Sequence, residues 1–361
     1  MTKPTFIDTT DALLPALEAW RDRPWIAVDT EFVREETYRA LLCLVQIGDG
    51  TTSLCVDVTA IDPAPVFKFL ARPSMTKVFH SAGQDLELFV QHTGNCPRPL
   101  FDTQVAAALL GHGEQLGYAA LVERRLGEKV DKSLSRTDWT QRPLTPAAIA
   151  YAADDVRHLA VMYPGLRKEL EHRGRLAWLE EECARWTEAA RYLPKPELAW
   201  RSLKGLARLD GAAQQRAAKL AAWRELEAQK RNRPRRWILD DEALCRLAQR
   251  PPSAPEQMKG LEGISDKLIA RVGAELVMVL QEPAASTDVL VRDERPDAEL
   301  RRKVQALRDT LTQIAEKEQI AATLIATRSD LEALATDGAS ADIPLLRGWR
   351  RDVAGNALLG T

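Results

Sequence analysis

The chain has 361 residues, 45% of them hydrophobic and 28% charged, with 50 Lys+Arg against 52 Asp+Glu. That length points to two or three domains with a sizeable core, and the balanced charge excludes a uniformly basic nucleic-acid coat but not a local basic patch. Five scattered cysteines (Cys43, Cys55, Cys96, Cys183, Cys245) form no C-x-x-C pair, so a reducing compartment is expected rather than a disulfide framework or zinc knuckle. No apolar stretch reaches the ~18 residues of a membrane span. The N-terminal stretch carries Asp8, Asp11 and Glu18 and no secretory pattern. A cytoplasmic protein with no membrane partner is expected.

Residues 11–20 read as a short amphipathic helix, and Trp25 to Val33 as a buried strand rich in β-formers. Leu41 to Ile47 and Leu54 to Val58 follow as strands. The intervening Gly48-Asp49-Gly50 predicts an antiparallel hairpin. Lys77 to His80 is a fourth strand, after which Gly83-Gln84-Asp85 opens a helix. From about residue 101 the spacing turns helical, over 103–110, 115–126, 145–163 and 165–192. Leu193-Pro194-Lys195-Pro196 cannot continue a helix. The predicted domains are therefore 1–192 (mixed α/β), 205–282 (helical) and 297–361 (helical), with a Pro-bearing linker before the last.

Asp29 and Glu31 are two apart in the first of these strands, so both side chains share a face. Two carboxylates on one face of a buried strand repel and are costly to desolvate, which makes a divalent cation a natural partner. On these residues alone, a turn or helix cap at Asp29 stays open. Asp85, at a helix start, is equally readable as a residue favoured by the helix macrodipole. Tyr151 and Asp155 are i and i+4 in a helix and share a face, whereas Asp154 is rotated away from them.

Taken in order, AVDTEFVREETY (27–38), VFHSAGQDLELF (78–89) and YAADDVRHL (151–159) resemble the DEDD exonuclease superfamily in its tyrosine-bearing branch. FDTQVAAALLG (101–111) and DKSLSRTDWTQRPLT (131–145) resemble ribonuclease D in particular. Residues 205–282 are similar to the helicase-and-ribonuclease-D C-terminal (HRDC) domain, with 297–361 as a divergent second copy. The resemblance implies an α/β ribonuclease-H-like 3′–5′ exonuclease domain followed by all-α HRDC-type domains. It implies hydrolysis of RNA from the 3′ end to nucleoside 5′-monophosphates, in maturation of transfer RNA and of small structured RNAs. It also implies two divalent metal ions, Mg²⁺ or Mn²⁺, whose +4 would balance four carboxylates. By the same carry-over, Asp29 bridges both ions. Glu31 and Asp155 complete the site of the attacking water, Asp85 orients the second ion, and Tyr151 aims the water.

Other residues are weaker candidates. Asp102 matches a family position outside the four ligands and is expected to lie behind them or to cap a helix. His80 and Gln84 flank the second motif. Lys132, Ser133 and Arg136 are candidates for phosphate contact. Residues 230–236 hold five basic side chains followed by Trp237, so Arg233, Arg235 and Arg236 are the expected RNA contacts of the helical unit. A solvated loop is the alternative there. Asp131-Lys132-Ser133 lacks a P-loop's glycines, with Leu126 and Asp131 in their places, which excludes a nucleotide-triphosphate site and a helicase. A proofreading DNA exonuclease and a non-catalytic RNA-binding protein remain alternatives. The helical units are expected to be removable after about residue 196 without loss of the chemistry.

Overall fold

The computed structural model describes residues 4–131, 133–134, 137–283, 290 and 298–361. Lys132 and Arg136 lie outside the described residues. The chain divides into two compact units: Met1–Val33, Leu42–Tyr192 and Pro296–Thr361 form one, and Arg34–Leu41 with Leu193–Arg295 form the other.

The first unit is built on a six-stranded mixed sheet. Its strands are β1 (Thr5–Ile7), β2 (Trp25–Val33), β3 (Leu41–Gly48), β4 (Ser53–Asp57), β5 (Thr76–Phe79) and β6 (Leu100–Asp102), in the order β1-β4-β3-β2-β5-β6. β3 and β4 form the predicted antiparallel hairpin, while β1–β4, β2–β5 and β5–β6 are parallel pairs. Parallel neighbours need crossovers that cover the sheet faces with helices. Those helices are α1 (Thr10–Glu18), α2 (Ala64–Leu70), α3 (Gly83–Thr93), α4 (Thr103–Leu109), α5 (Tyr118–Leu126), α6 (Pro146–His172) and α7 (Leu176–Trp186).

Helix α6 differs from its predicted extent. It starts at the Thr145 cap, whose hydroxyl accepts from the Ala148 N–H at 3.1 Å, and runs on through Pro164. A proline removes one helical hydrogen bond and crowds the carbonyl four residues back. Here Tyr163 and Leu166, buried on either side of it, hold the helix in the core. The break falls instead at Arg173–Gly174, where Gly174 takes φ +67°, so the predicted 165–192 helix is two pieces.

Among the described residues the second unit is helical, with α8 (Gly211–Arg231), α9 (Arg235–Ile238), α10 (Asp241–Gln249) and α11 (Asp266–Gln281) around one apolar core. It begins at Leu193, not 205, because Ala199, Trp200, Leu203 and Leu206 pack into that core. It also takes in residues 34–41 from the loop after β2: Tyr38 packs on the core, and its hydroxyl donates to the buried Glu225 carboxylate. The Arg39 N–H donates to Asn232 Oδ1 at 3.0 Å.

Residues 298–361, predicted as a unit of their own, belong to the first unit. They form α12 (Ala298–Glu318), α13 (Ala322–Ile325), α14 (Arg328–Asp337) and a last helical run over 348–358. Arg350 meets Glu182 of α7 through two nitrogens, Nη2–Oε2 being 2.9 Å, and both residues are buried. Trp349 donates its indole N–H to the same carboxylate at 2.9 Å and stacks on Trp178 with 4.8 Å between ring centroids. Arg175 donates to the Leu109 and Glu318 carbonyls at 2.8 and 2.6 Å. At Gly348 (φ +48°) a Cβ would collide with the Glu181 carboxylate, and at Gly111 (φ +81°) with the Gln319 carbonyl, so both glycines permit the close approach.

Candidate active site

Period two in β2 places Asp29 and Glu31 side by side, and α6 brings Asp155 to them. Ligand oxygens of the three lie within 4.8 Å of one another. Asp85, in the first turn of α3, stands outside that triple and is tied to β2 by the Thr30 hydroxyl, which donates to its Oδ1. Tyr151, one helical turn before Asp155, is half-buried, with its ring 6.3 Å from Trp139.

The charges are raised in energy by this crowding. Burial, then the charges of Asp29, Asp155 and Asp85, pushes Glu31 up to about 9. Burial pushes Asp155 up to about 7 against a lowering hydrogen bond from Tyr118. Asp29 and Asp85 move the same way, by burial first, then by the charge of Asp155 on Asp29 and of Asp29 on Asp85. The folded chain without cations therefore holds more protons than the unfolded chain. The cluster's stabilising contribution is complete below the unfolded carboxylate range near ~4 and is lost as pH rises through those raised values. In EDTA the unfolding midpoint should fall between about pH 6 and about pH 9, and Glu31→Gln should flatten that slope. Scanning calorimetry at several pH values checks this. Parallel slopes for the two proteins would count against the crowded-carboxylate account.

The remaining candidates sort by their contacts. Asp102 caps α4, accepting from the Gln104 and Val105 N–H groups, and holds the loop before α3 by accepting from Ser81 and Ala82 at 3.1 and 2.8 Å. His80 shares its Nδ1 with the Thr103 hydroxyl at 2.9 Å and is mostly withdrawn from solvent. Gln84 is exposed in the first turn of α3. Ser133 is held by Asp131, which accepts from both its N–H and its hydroxyl. His158 of α6 is buried and lies 3.1 Å from both the Tyr118 hydroxyl and Glu128.

The basic run is largely committed inside its own unit. Arg235 pairs with Glu225 and stacks over Tyr38, Arg231 pairs with Glu227, and Arg233 lies 3.6 Å from Glu36. Arg236 makes no ion pair among the described residues, and Trp237 beside it is 56% exposed. Reversing the Arg235 charge would thus disturb the fold before it reported on RNA.

Two residues near the site carried no signal in the sequence. The Tyr118 hydroxyl donates to the Asp155 carbonyl at 2.8 Å, and Trp139 backs Tyr151. Both come from segments whose spacing says nothing about what they face.

Carboxylates from a central strand and a covering helix, with a tyrosine one turn from the helical one, are the arrangement of a 3′–5′ exonuclease domain. A sequence model of the 3′–5′ exonuclease family matches residues 4–171, and one of the HRDC domain matches residues 213–280. Ribonuclease D of Acidiphilium cryptum is 40% identical over 370 residues, covering 99% of this chain and 92% of the relative. Ribonuclease D of Zymomonas mobilis is 39% identical over 360 residues, covering 96% and 91%. The crystal structure of Escherichia coli RNase D, described as an exoribonuclease involved in structured RNA processing, superposes with a TM-score of 0.86. It is 32% identical and covers 99% of this chain and 98% of that one. The catalytic core of RRP6 from Trypanosoma brucei shares the fold at a TM-score of 0.58, 23% identity and 78% of this chain against 82% of its own. The chain belongs to the ribonuclease D family and is a 3′–5′ exoribonuclease.

Proposed function

We propose that the enzyme removes nucleotides from RNA 3′ ends with two bound divalent ions, releasing nucleoside 5′-monophosphates, in 3′-end maturation of transfer RNA and other small structured RNAs. The observation that carries this is the Asp29–Glu31–Asp155 triple with Tyr151 on the same helix face as Asp155. Oxygen-only donors suit Mg²⁺ or Mn²⁺ better than zinc, and three crowded carboxylates need positive charge. Asp29 would serve both ions, Glu31 and Asp155 one of them, and Asp85 the other. When bound, the ions activate a water and neutralise the attacking and leaving oxygens of an in-line displacement.

Tyr151 is the water-positioning residue. Burial, then the charges of Asp155, Glu31 and Asp29, raises its pKa, so the phenol keeps its proton and acts as a hydrogen-bond partner rather than a base. Tyr151→Phe should bind Mn²⁺ as the wild type does while turnover falls by ~10–10³-fold, the scale of losing one oriented hydrogen bond. Calorimetric titration beside single-turnover kinetics separates the two effects. Lost Mn²⁺ binding would make Tyr151 part of the ion site instead.

His80, Gln84, Ser133, Arg236 and the exposed Trp237 are the RNA contacts we propose, with the helical unit choosing the substrate and residues 298–361 serving as a divergent second HRDC-like element. Among the described residues no helix is long and apolar enough to cross a membrane. Cytoplasmic action fits the free cysteines. Cleavage of 3′-extended transfer RNA and of single-stranded DNA, in Mg²⁺, Mn²⁺ and EDTA, tests the whole reading. Preference for DNA would favour a proofreading-type nuclease.

A further inference from the structure

Gln46 lies in the middle of β3 with none of its surface exposed, and neither its amide nitrogen nor its amide oxygen has a hydrogen-bond partner among the described residues. A polar atom buried in that state carries its full desolvation penalty, so native proteins rarely keep one without a use. Where this amide points follows from the sheet. A Cβ at Gly48, two residues on, would touch Val156 of α6, and alternate residues of a strand share a face. Gln46 also pairs directly with Cys55 of β4, and side chains directly opposite in an antiparallel pair stand on the same face. Cys55 reaches the Ile149 carbonyl of α6 at 3.7 Å. Gln46 therefore faces α6.

Asp29 and Glu31 meet Asp155 of α6, so they too are on this face, and β2 is the strand next to β3. The Glu31 charge extends to this part of the sheet: after burial itself, it is what pushes the Cys55 thiol up, to about 12. A buried, unpartnered amide thus shares a face of the sheet with a carboxylate that lacks a neutral donor of its own among the described residues.

We propose that Gln46 is a positioning residue for the ion site, its amide N–H donating to the Glu31 carboxylate, or to a water held by it, when a divalent cation is bound. The proposal rests on the ion-site reading above. Ligating carboxylates are usually themselves hydrogen-bonded, and loss of such a partner typically costs ~10–100-fold in metal affinity. The amide is then the cost carried by the cation-free protein and recovered on binding.

The test is Gln46→Met, nearly the same volume with no polar atoms, with Gln46→Asn as a second variant that keeps the amide one methylene further back. Mn²⁺ titration by calorimetry, without RNA, should show affinity falling ~10–100-fold in Gln46→Met. Its unfolding midpoint in EDTA should stay level or rise, because an orphaned polar group has been removed. Gln46→Asn should also bind Mn²⁺ more weakly, and saturating Mn²⁺ should restore turnover in both to within a few-fold. Unchanged Mn²⁺ affinity in both variants would overturn the proposal. So would a Gln46→Met protein that fails to fold or melts lower in EDTA, since the amide would then have its partner without any cation. Asp155→Asn is the reference. If it binds Mn²⁺ like the wild type, the ion-site reading itself fails; if it does not, an unchanged Gln46→Met removes only the role of Gln46.

Discussion

Asp155→Asn should reduce turnover in Mg²⁺ by at least ~10³-fold, the several kcal/mol that bound cations contribute to such a transition state. Asp29→Asn should do as much, because Asp29 belongs to the same close carboxylate triple. Neither variant should unfold. Each removes one like charge from a cluster where burial and mutual repulsion already raise every carboxylate, so the cation-free protein should melt no lower than the wild type, and higher near pH 8. Single-turnover cleavage of a 3′-labelled oligoribonucleotide, beside melting curves in EDTA, reads both quantities. Near-normal cleavage by either variant would mean that the chemistry is elsewhere, and a lowered melting point would mean that the lost carboxylate was structural.

Arg350→Ala should be the most destabilising substitution far from the site. It leaves Glu182, buried in α7, with its principal charge partner gone. Removing one member of a buried ion pair typically costs ~3–5 kcal/mol. Arg185, at 3.5 Å, and the Trp349 indole remain and should hold the loss toward the lower end. Urea denaturation gives the number, and the double variant Arg350→Met with Glu182→Leu should recover much of it. A loss below about 1 kcal/mol would mean that the pair is dispensable to the fold. Truncation after about residue 196, which the sequence treats as harmless to the nuclease, should be at least as damaging. It would uncover Trp178 and leave both Glu182 and Arg175 without their C-terminal partners.

Much of the proposed ion site's geometry is legible in the sequence because it is local. Asp29 and Glu31 share a face by strand period, and Tyr151 and Asp155 by helical period. Asp85 is not legible in that way. A helix-opening aspartate is commonplace, and only the order of the three motifs singles it out. The three-residue strands β1 and β6 are too short to show a period, and they exist because longer neighbours offer them an edge. Gln46 reads as one polar residue in a strand; its isolation appears only when the faces of β3, β4 and α6 are put together. The basic run misleads for the same reason. The partners of Arg233 and Arg235 include Glu36 and Tyr38, about two hundred residues earlier in the chain. Nothing in the local sequence marks those side chains as taken.

The helical unit that completes itself with residues 34–41 is not a cassette. A gene fragment encoding 193–295 would lack Tyr38, whose hydroxyl donates to the buried Glu225 carboxylate, and the Arg39 N–H that donates to Asn232. Transplanting this unit onto another nuclease would therefore require grafting an eight-residue piece of the β2–β3 connection as well. Recombination that exchanges tails at a single crossover near residue 193 would yield chimeras with a mismatched strap. Lineages that shuffle this architecture should inherit both segments together or rebuild one of them.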